Sequence, residues 1–333
     1  MSPDASALPA RIAVLIPCKD ESAAVGRVID DVRAVLPEAE VYVYDNASTD
    51  ATAEVAAAHG AHVRQEARPG KGNVIRRAFA DVDADAYLLI DGDDTYDASA
   101  ARRLVATLVS GPYDHVVGVR RADSPTSYRP GHAAGNRALN QVVSGVFGTP
   151  VTDMLSGYRV MSRRFVKSFP ALSRGFEVET ELTVHAVNLR VPQVEVPVGF
   201  RDRADGSESK LRTYRDGWRI LSWILRLTHY ERPMLVHLAL AGLLTAVALV
   251  LGLPVVADFA RTGLVPRLPT ALLASSLVVL AALVALVGLV LDAVHRARHE
   301  ASRLAYLQHA APVRPPAVDL TTSSARASVP VPR

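Results

Sequence analysis

Cysteine is nearly absent: Cys18 is the single one in 333 residues. That excludes an intramolecular disulfide framework and any cysteine-rich zinc site. Excess charge is also lacking, since 37 Lys and Arg stand against 34 Asp and Glu for a net +3. So weak a field does not gather phosphates, which argues against a nucleic-acid binder. Residues 1–11 show no basic segment followed by a long apolar run, so no signal peptide is expected. Glycine is missing where a dinucleotide fold would need it: IAVLI (12–16) runs on into PCKDES, with no glycine before Gly26. The most informative absence is of charge within two long segments. Residues 233–257 and 268–291 contain no Asp, Glu, Lys or Arg. Both exceed the roughly 20 residues that carry a helix across a bilayer core. Apolarity all round leaves no polar face for water, so membrane spans are expected over 233–257 and 268–294 in preference to buried core helices.

What remains divides around those spans. Residues 1–10 are rich in Pro, Ala and Ser and are expected to be disordered; residues 11–212 read as a soluble domain. Residues 258–267 make a short loop, so the spans form an antiparallel hairpin with both long ends on one side. A tail over 295–333 is Pro/Ser/Thr-rich towards its end and is expected to be largely disordered. Lys210, Arg212, Arg215, Arg219, Arg226 and Arg232 precede the first span, and Arg296, Arg298 and Arg303 follow the second, against only Arg261 and Arg267 in the loop. The positive-inside rule puts the soluble domain and both termini in the cytoplasm. Within 213–232, Trp218, Leu221, Ile224 and Leu225 fall near one helical face, which suggests an interfacial helix, with a core-facing helix as the alternative.

The soluble domain alternates short apolar runs with helix-like stretches. IAVLI (12–16), VYVY (41–44), AYLLI (86–90) and HVVGV (115–119) are strand candidates, and 22–36 and 98–109 have helical spacing. That order predicts an α/β sandwich with a mostly parallel sheet, in which ligands bind beyond the carboxyl ends of the strands. Polar clusters follow those ends: Pro17-Cys18-Lys19-Asp20-Glu21, then Asp45-Asn46-Ala47-Ser48-Thr49-Asp50, then Asp91-Gly92-Asp93-Asp94. Carboxylates packed one residue apart repel, and a hard cation such as Mg²⁺ or Mn²⁺ bridging a diphosphate would relieve that. A solvated Asp-rich turn is the plain alternative. Gly70-Lys71-Gly72 lacks the spacing of a phosphate loop, and reads either as a phosphate-holding lysine at a helix start or as a solvated one.

Taken in order, these motifs resemble the family 2 glycosyltransferases of GT-A fold. The likeness is to the membrane-tethered polyprenyl-phosphate glycosyltransferases related to dolichol-phosphate mannose synthase. It covers about residues 11–215 and rests on Pro17 and Glu21, Asp45 to Asp50, and Gly70-Lys71-Gly72. It continues through Asp91 and Asp93, Gly118 and Arg120, Asp153 with Ser156-Gly157-Tyr158-Arg159, and Arg203 with Gly206, Ser209 and Lys210. The resemblance implies a GT-A nucleotide-sugar-binding sandwich followed by a two-helix transmembrane hairpin. By the same resemblance Pro17, Glu21 and Asp45 cradle the base, while Asp91 and Asp93 serve the diphosphate and a Mg²⁺ or Mn²⁺ ion. Two positions depart from the pattern: Asn46 stands where a second acid is usual, and Thr95 where a metal-assisting Gln is frequent.

The implied reaction is an inverting transfer of a sugar, from a UDP-sugar in preference to GDP-mannose, onto a polyprenyl phosphate at the membrane surface. A phosphate nucleophile is already anionic, so cationic positioning groups matter more than a base. Arg120, then Arg129, then Arg137 are the candidates for that task, although Arg137 could simply solvate a helix. Asp153 is expected to orient a substrate or act as base, unless it caps a helix or pairs with Arg159. Glu177 and Glu179 are expected either to line the site or to begin a helix, with the helix start favoured for Glu179. Lys71, Arg203 and Lys210 complete the donor site, the last two on a closing loop or a basic membrane-facing patch. The partners are therefore a nucleotide-sugar, a polyprenyl phosphate and the bilayer, with a homo-oligomer left open. The rival readings are a processive polysaccharide synthase, whose Q-x-x-R-W motif is absent, and a non-catalytic membrane scaffold.

Overall fold

The apolar run Ile12–Cys18 forms β1, paired in parallel with β2 (Glu40–Asp45) on one side and with β4 (Ala86–Leu89) on the other. The structure is a computed structural model and describes residues 11–122, 152–201 and 233–312. β3 (His62–Gln65) extends the parallel set beyond β2. On the far side of β4 lies the antiparallel β6 (Arg159–Ser162), then β5 (His115–Ala122) and β7 (Gln193–Phe200), giving the order β3-β2-β1-β4-β6-β5-β7. The sheet is mixed but mostly parallel, as expected from the alternation of apolar runs and helical stretches.

Both faces are covered, which is why the central strands read as continuous apolar runs instead of alternating ones. Val14, Ile16 and Leu88 point into one core, beneath α1 (Val25–Val35) and α4 (Ala101–Ser110). Leu15, Tyr87 and Leu89 point into the other, beneath α3 (Lys71–Asp81) and the later helices α5 (Arg163–Ser168) and α6 (Val178–Leu189). α1 buries Val25, Val28, Ile29 and Val32, the one-face spacing of an amphipathic helix. A short α2 (Thr52–Ala58) joins β2 to β3.

The chain divides into two compact units, and the described parts of the first are 11–122, 152–201 and 304–312. In the second lie α7 (Pro233–Thr262), which contains Pro254, and most of α8 (Leu268–Leu307). Both are long and apolar enough to cross a membrane. Ala241, Ala248 and Val255 on α7, and Ala274 and Ala281 on α8, are buried, while Leu243, Val250 and Val279 stand exposed. A Cβ on Gly252 would lie 3.4 Å from Ala274 Cβ, and one on Gly288 would meet His237 Cβ at 2.6 Å, so the helices run antiparallel and meet along a small-residue seam. An apolar exterior over a seam of small residues suits lipid, not water.

Both helices extend past the expected spans, to Thr262 and Leu307. The start of the expected disordered tail is therefore helical. Its anchor is Tyr306, buried in the first unit, whose hydroxyl donates to Asp114 Oδ2 at 2.7 Å beneath the Arg164 guanidinium. A lone tyrosine between Ala305 and Leu307 carries no local sign of that partner.

Candidate active site

The carboxyl ends of β1, β2 and β4 converge, because Cys18 and Asp45 are paired in register and Ile90 N donates to Leu15 O at 3.2 Å. Asp20, Ala47 and Asp94, one after each of these strands, sit in the left-handed region with φ of 52°, 55° and 57°. Non-glycine residues held there store strain, and strain of this kind gathers at functional sites. The first two loops are laced together. Asp20 N donates to Ser48 Oγ, Thr49 N to Asp20 Oδ1 at 2.7 Å, Glu21 N to Thr52 Oγ1 at 2.8 Å, and Ser22 N to Asp50. Pro17, Glu21 and Asp45 are thus brought to one rim, with Asp45 buried and accepting from Ser48 N.

Asn46 explains its own departure from an acidic residue. Its amide donates to Glu66 O and Arg68 O at 2.8 Å each, while its side-chain oxygen accepts from Gly70 N at 2.7 Å. A carboxylate could accept but not donate. The residue therefore braces the turn that leads into Lys71. Gly70 has φ of 122°, and a Cβ there would overlap the carbonyl of Arg174.

Lys71 is buried, which sets aside the solvated-lysine reading. Its ammonium pairs with Asp91 and, at 2.6 Å, with Glu179 Oε1. Burial works against the charge, but the two carboxylates outweigh it and hold the lysine pKa well above its ordinary value. Burial pushes the Glu179 carboxyl up, with Lys71 opposing. Of the two readings open for Glu179, a helix start and the site, both hold: it lies in the first turn of α6 and its side chain turns into the site.

Asp91 also packs against Gly157, where a Cβ would overlap the carboxylate. That contact ties the β4 end to the Ser156-Gly157-Tyr158 stretch, whose Gly157 N donates to Tyr96 OH at 2.8 Å. Asp93 and Asp94 are buried, so the cluster is no solvated turn. Asp93 Oδ1 accepts from Thr95 Oγ1 at 2.6 Å, and Asp94 from Arg27 at 2.9 Å. Thr95, in the position of the frequent Gln, thus orients a carboxylate. Hard carboxylate oxygens suit Mg²⁺ or Mn²⁺, and Asp91 already holds a cationic group. Among the described residues no group of three or more His, Cys, Asp or Glu forms a cage. Such a pair suits an ion that takes its other oxygens from a diphosphate and water.

Arg120 and Asp153 meet directly: the guanidinium donates to Asp153 through Nε at 2.8 Å and Nη2 at 2.6 Å, and lies over the Phe200 ring. Asp153 therefore pairs with Arg120 and not with Arg159. Arg159 is fully buried and donates to Ser156 O, Met154 O, Thr183 Oγ1 and His115 Nε2. Burial and Arg159 hold the His115 pKa well below its usual value, leaving a neutral ring that accepts. Arg129, Arg137, Arg203 and Lys210, and the interfacial helix expected over 213–232, lie outside the described residues.

Sheet order and acidic strand ends together fit the GT-A arrangement expected from the sequence. A family model described as Glycosyl transferase family 2 matches residues 13–169. Glycosyltransferase AglJ of Haloferax volcanii is 35% identical over 232 residues, 68% of this chain and 75% of that protein. Dolichyl-phosphate hexose transferase of the same organism is 28% identical over 222 residues, 66% of this chain and 95% of that protein. Among solved structures, glucosyl-3-phosphoglycerate synthase of Mycobacterium tuberculosis, in complex with Mn²⁺, UDP and glucosyl-3-phosphoglycerate, shares the fold. Its TM-score is 0.53 at 24% identity, over 65% of this chain and 77% of that one. The chain belongs to glycosyltransferase family 2.

Proposed function

We propose that this glycosyltransferase moves a sugar from a nucleotide-sugar, a UDP-sugar in preference to GDP-mannose, onto a polyprenyl phosphate at the cytoplasmic face of a membrane. The observation that carries the reading is the cluster at the end of β4, where the Lys71 ammonium pairs with a half-buried Asp91 beside the buried Asp93. A relative named for dolichyl phosphate and two helices fit to cross a bilayer support the acceptor. A fold neighbour determined with Mn²⁺ and UDP-glucose supports the donor.

In the proposed reaction a phosphate oxygen of the lipid attacks the anomeric carbon with inversion, and the bond from that carbon to the diphosphate oxygen breaks. The nucleoside diphosphate departs with the electron pair. Pro17, Glu21 and Asp45 hold the base; Lys71, Arg203 and Lys210 hold the diphosphate. Asp91 and Asp93 would hold Mg²⁺ or Mn²⁺, which offsets charge on the leaving group when bound. Arg120, Arg129 and Arg137 receive the lipid phosphate. Asp153 fixes the Arg120 guanidinium by two hydrogen bonds and so sets where that phosphate is met. No base is required, because the nucleophile is ionised near neutral pH.

Asp93→Asn tests the proposal in membranes supplied with donor and polyprenyl phosphate. Lipid-linked sugar is expected to fall about 10²-fold or more, the scale of losing a group aimed at developing charge. Unchanged synthesis would overturn the metal-assisted reading.

A further inference from the structure

We propose that Lys71 is an exchangeable counter-ion for Asp91, displaced toward Glu179 when a divalent cation arrives, so that Glu179 sets how readily the site takes its metal. The inference rests on the metal-binding reading of Asp91 given above.

Three features support it. The first is charge: one ammonium serves two carboxylates, pairing with Asp91 and with Glu179 Oε1 at 2.6 Å. A dication at Asp91 and an ammonium on the same carboxylate repel strongly at such separations, so both cannot keep full hold of it. The second is direction. Asp91 keeps 27% of its side chain exposed against 5% for Glu179. The cation thus approaches on the Asp91 side, and the lysine has a carboxylate to retreat to on the inner side.

The third feature is rigidity around a movable side chain. Gly72 N donates to Gly175 O at 3.1 Å, and a Cβ on Gly72 would overlap the Ser173 carbonyl. The 172–175 segment is itself held, because Glu181 accepts from Leu172 N and Ser173 N at 2.8 Å each. The backbone of Lys71 is thereby clasped to the segment that leads into Glu179. Only the four-carbon stem of the lysine is left to shift between the carboxylates. Before loading, Lys71 keeps Asp91 charged and in place; after loading, it remains beside the diphosphate as a positive group.

The test is Mn²⁺ binding to the full-length chain in detergent without nucleotide, followed by calorimetry or by the paramagnetic signal of free Mn²⁺. Lys71→Met is expected to tighten Mn²⁺ binding roughly tenfold or more, since the competing cation is gone. Glu179→Gln is expected to weaken it at least about threefold, because the ammonium then rests on Asp91 alone. The double variant is expected to match Lys71→Met within about twofold, since Glu179 acts through the lysine. Loss of binding in Asp91→Asn with no tightening in Lys71→Met would overturn the exchange while leaving the metal site standing. Unchanged binding in Asp91→Asn would overturn the metal site itself. Should Lys71→Met fail to fold, the double variant, which keeps the wild-type net charge, decides, and it must bind at least about fifteenfold more tightly than Glu179→Gln alone.

Discussion

Replacing Asp153 by alanine removes a buried carboxylate that accepts three hydrogen bonds from Arg120, through Nε at 2.8 Å, Nη2 at 2.6 Å and the backbone N at 3.2 Å. Breaking a buried ion pair by deleting one partner costs about 3–5 kcal/mol, mostly because the other charge is stranded. Arg120 retains 17% side-chain exposure, so water can reach the guanidinium that remains, and the lower end, about 3 kcal/mol, is expected. Arg120→Ala takes two side-chain hydrogen bonds from a carboxylate only 4% exposed and is expected to cost more, about 4 kcal/mol. For a domain of this size about 3 kcal/mol corresponds to a fall of roughly 6–12 °C in Tm. Thermal shift of the detergent-solubilised chain reads both variants and the double variant. A coupling of about 2 kcal/mol or more is expected, because the second deletion removes a group whose charged partner the first had already taken away. Additivity within about 0.5 kcal/mol would refute the pairing and with it the positioning role given to Asp153.

Other consequences are equally open to measurement. Gly157→Ala drives a methyl group into the Asp91 carboxylate, and transfer activity is expected to fall about 10²-fold, the effect of misplacing a reacting group by about 1 Å; wild-type kcat would contradict the contact. Asn46→Asp sets a carboxylate against the Glu66 and Arg68 carbonyls, and is expected to lower stability by about 2 kcal/mol in denaturant unfolding, whereas no loss would remove the brace. Burial pushes the Cys18 thiol up, and the Glu21, Asp91, Asp45 and Asp93 carboxylates add to it. Iodoacetamide at pH 8 is therefore expected to leave the folded chain unmodified by mass and to react after unfolding. Partial burial works to raise the Asp50 pKa, but hydrogen bonds from Thr52 and Ser22 outweigh it and lower the value from 3.8 to about 2. A depressed carboxyl stabilises above its unfolded pKa and loses that contribution as pH falls through its folded one. The stability gap between wild type and Asp50→Ala is thus expected to be constant above about pH 5 and to close by about pH 1.

The central sheet was legible because its strands are buried on both faces and so spell uninterrupted apolar runs. β3 was not, since His62–Gln65 is a largely exposed edge without such a run. β6 hides in RVMS: Arg159 and Ser162 are wholly buried yet polar, made tolerable by partners in distant segments. β7 alternates at half-buried positions and carries Pro197, which reads as a break. At the site, Lys71 and Asp91 announced themselves through flanking glycines and a strand end. Their convergence with Glu179 did not, because the pairing joins α3, the end of β4 and the start of α6, and no local spacing encodes it. Asp153 shows the same limit: Arg159 is near in sequence, but the pairing of strands sets Arg120 against it instead. The small-residue seam of α7 and α8 was present at intervals of one heptad, masked by the uniform apolarity that identified the helices.

Membranes containing the full chain, incubated with a panel of UDP- and GDP-sugars, a divalent cation and a polyprenyl phosphate, give the most direct measurement, with the lipid product weighed by mass spectrometry. A polyprenyl phosphate heavier by one sugar residue is expected from a UDP-sugar and is expected to be lost with Asp91→Asn. No lipid-linked product from any donor, or product formed equally by the variant, would contradict transfer to a polyprenyl phosphate at this site.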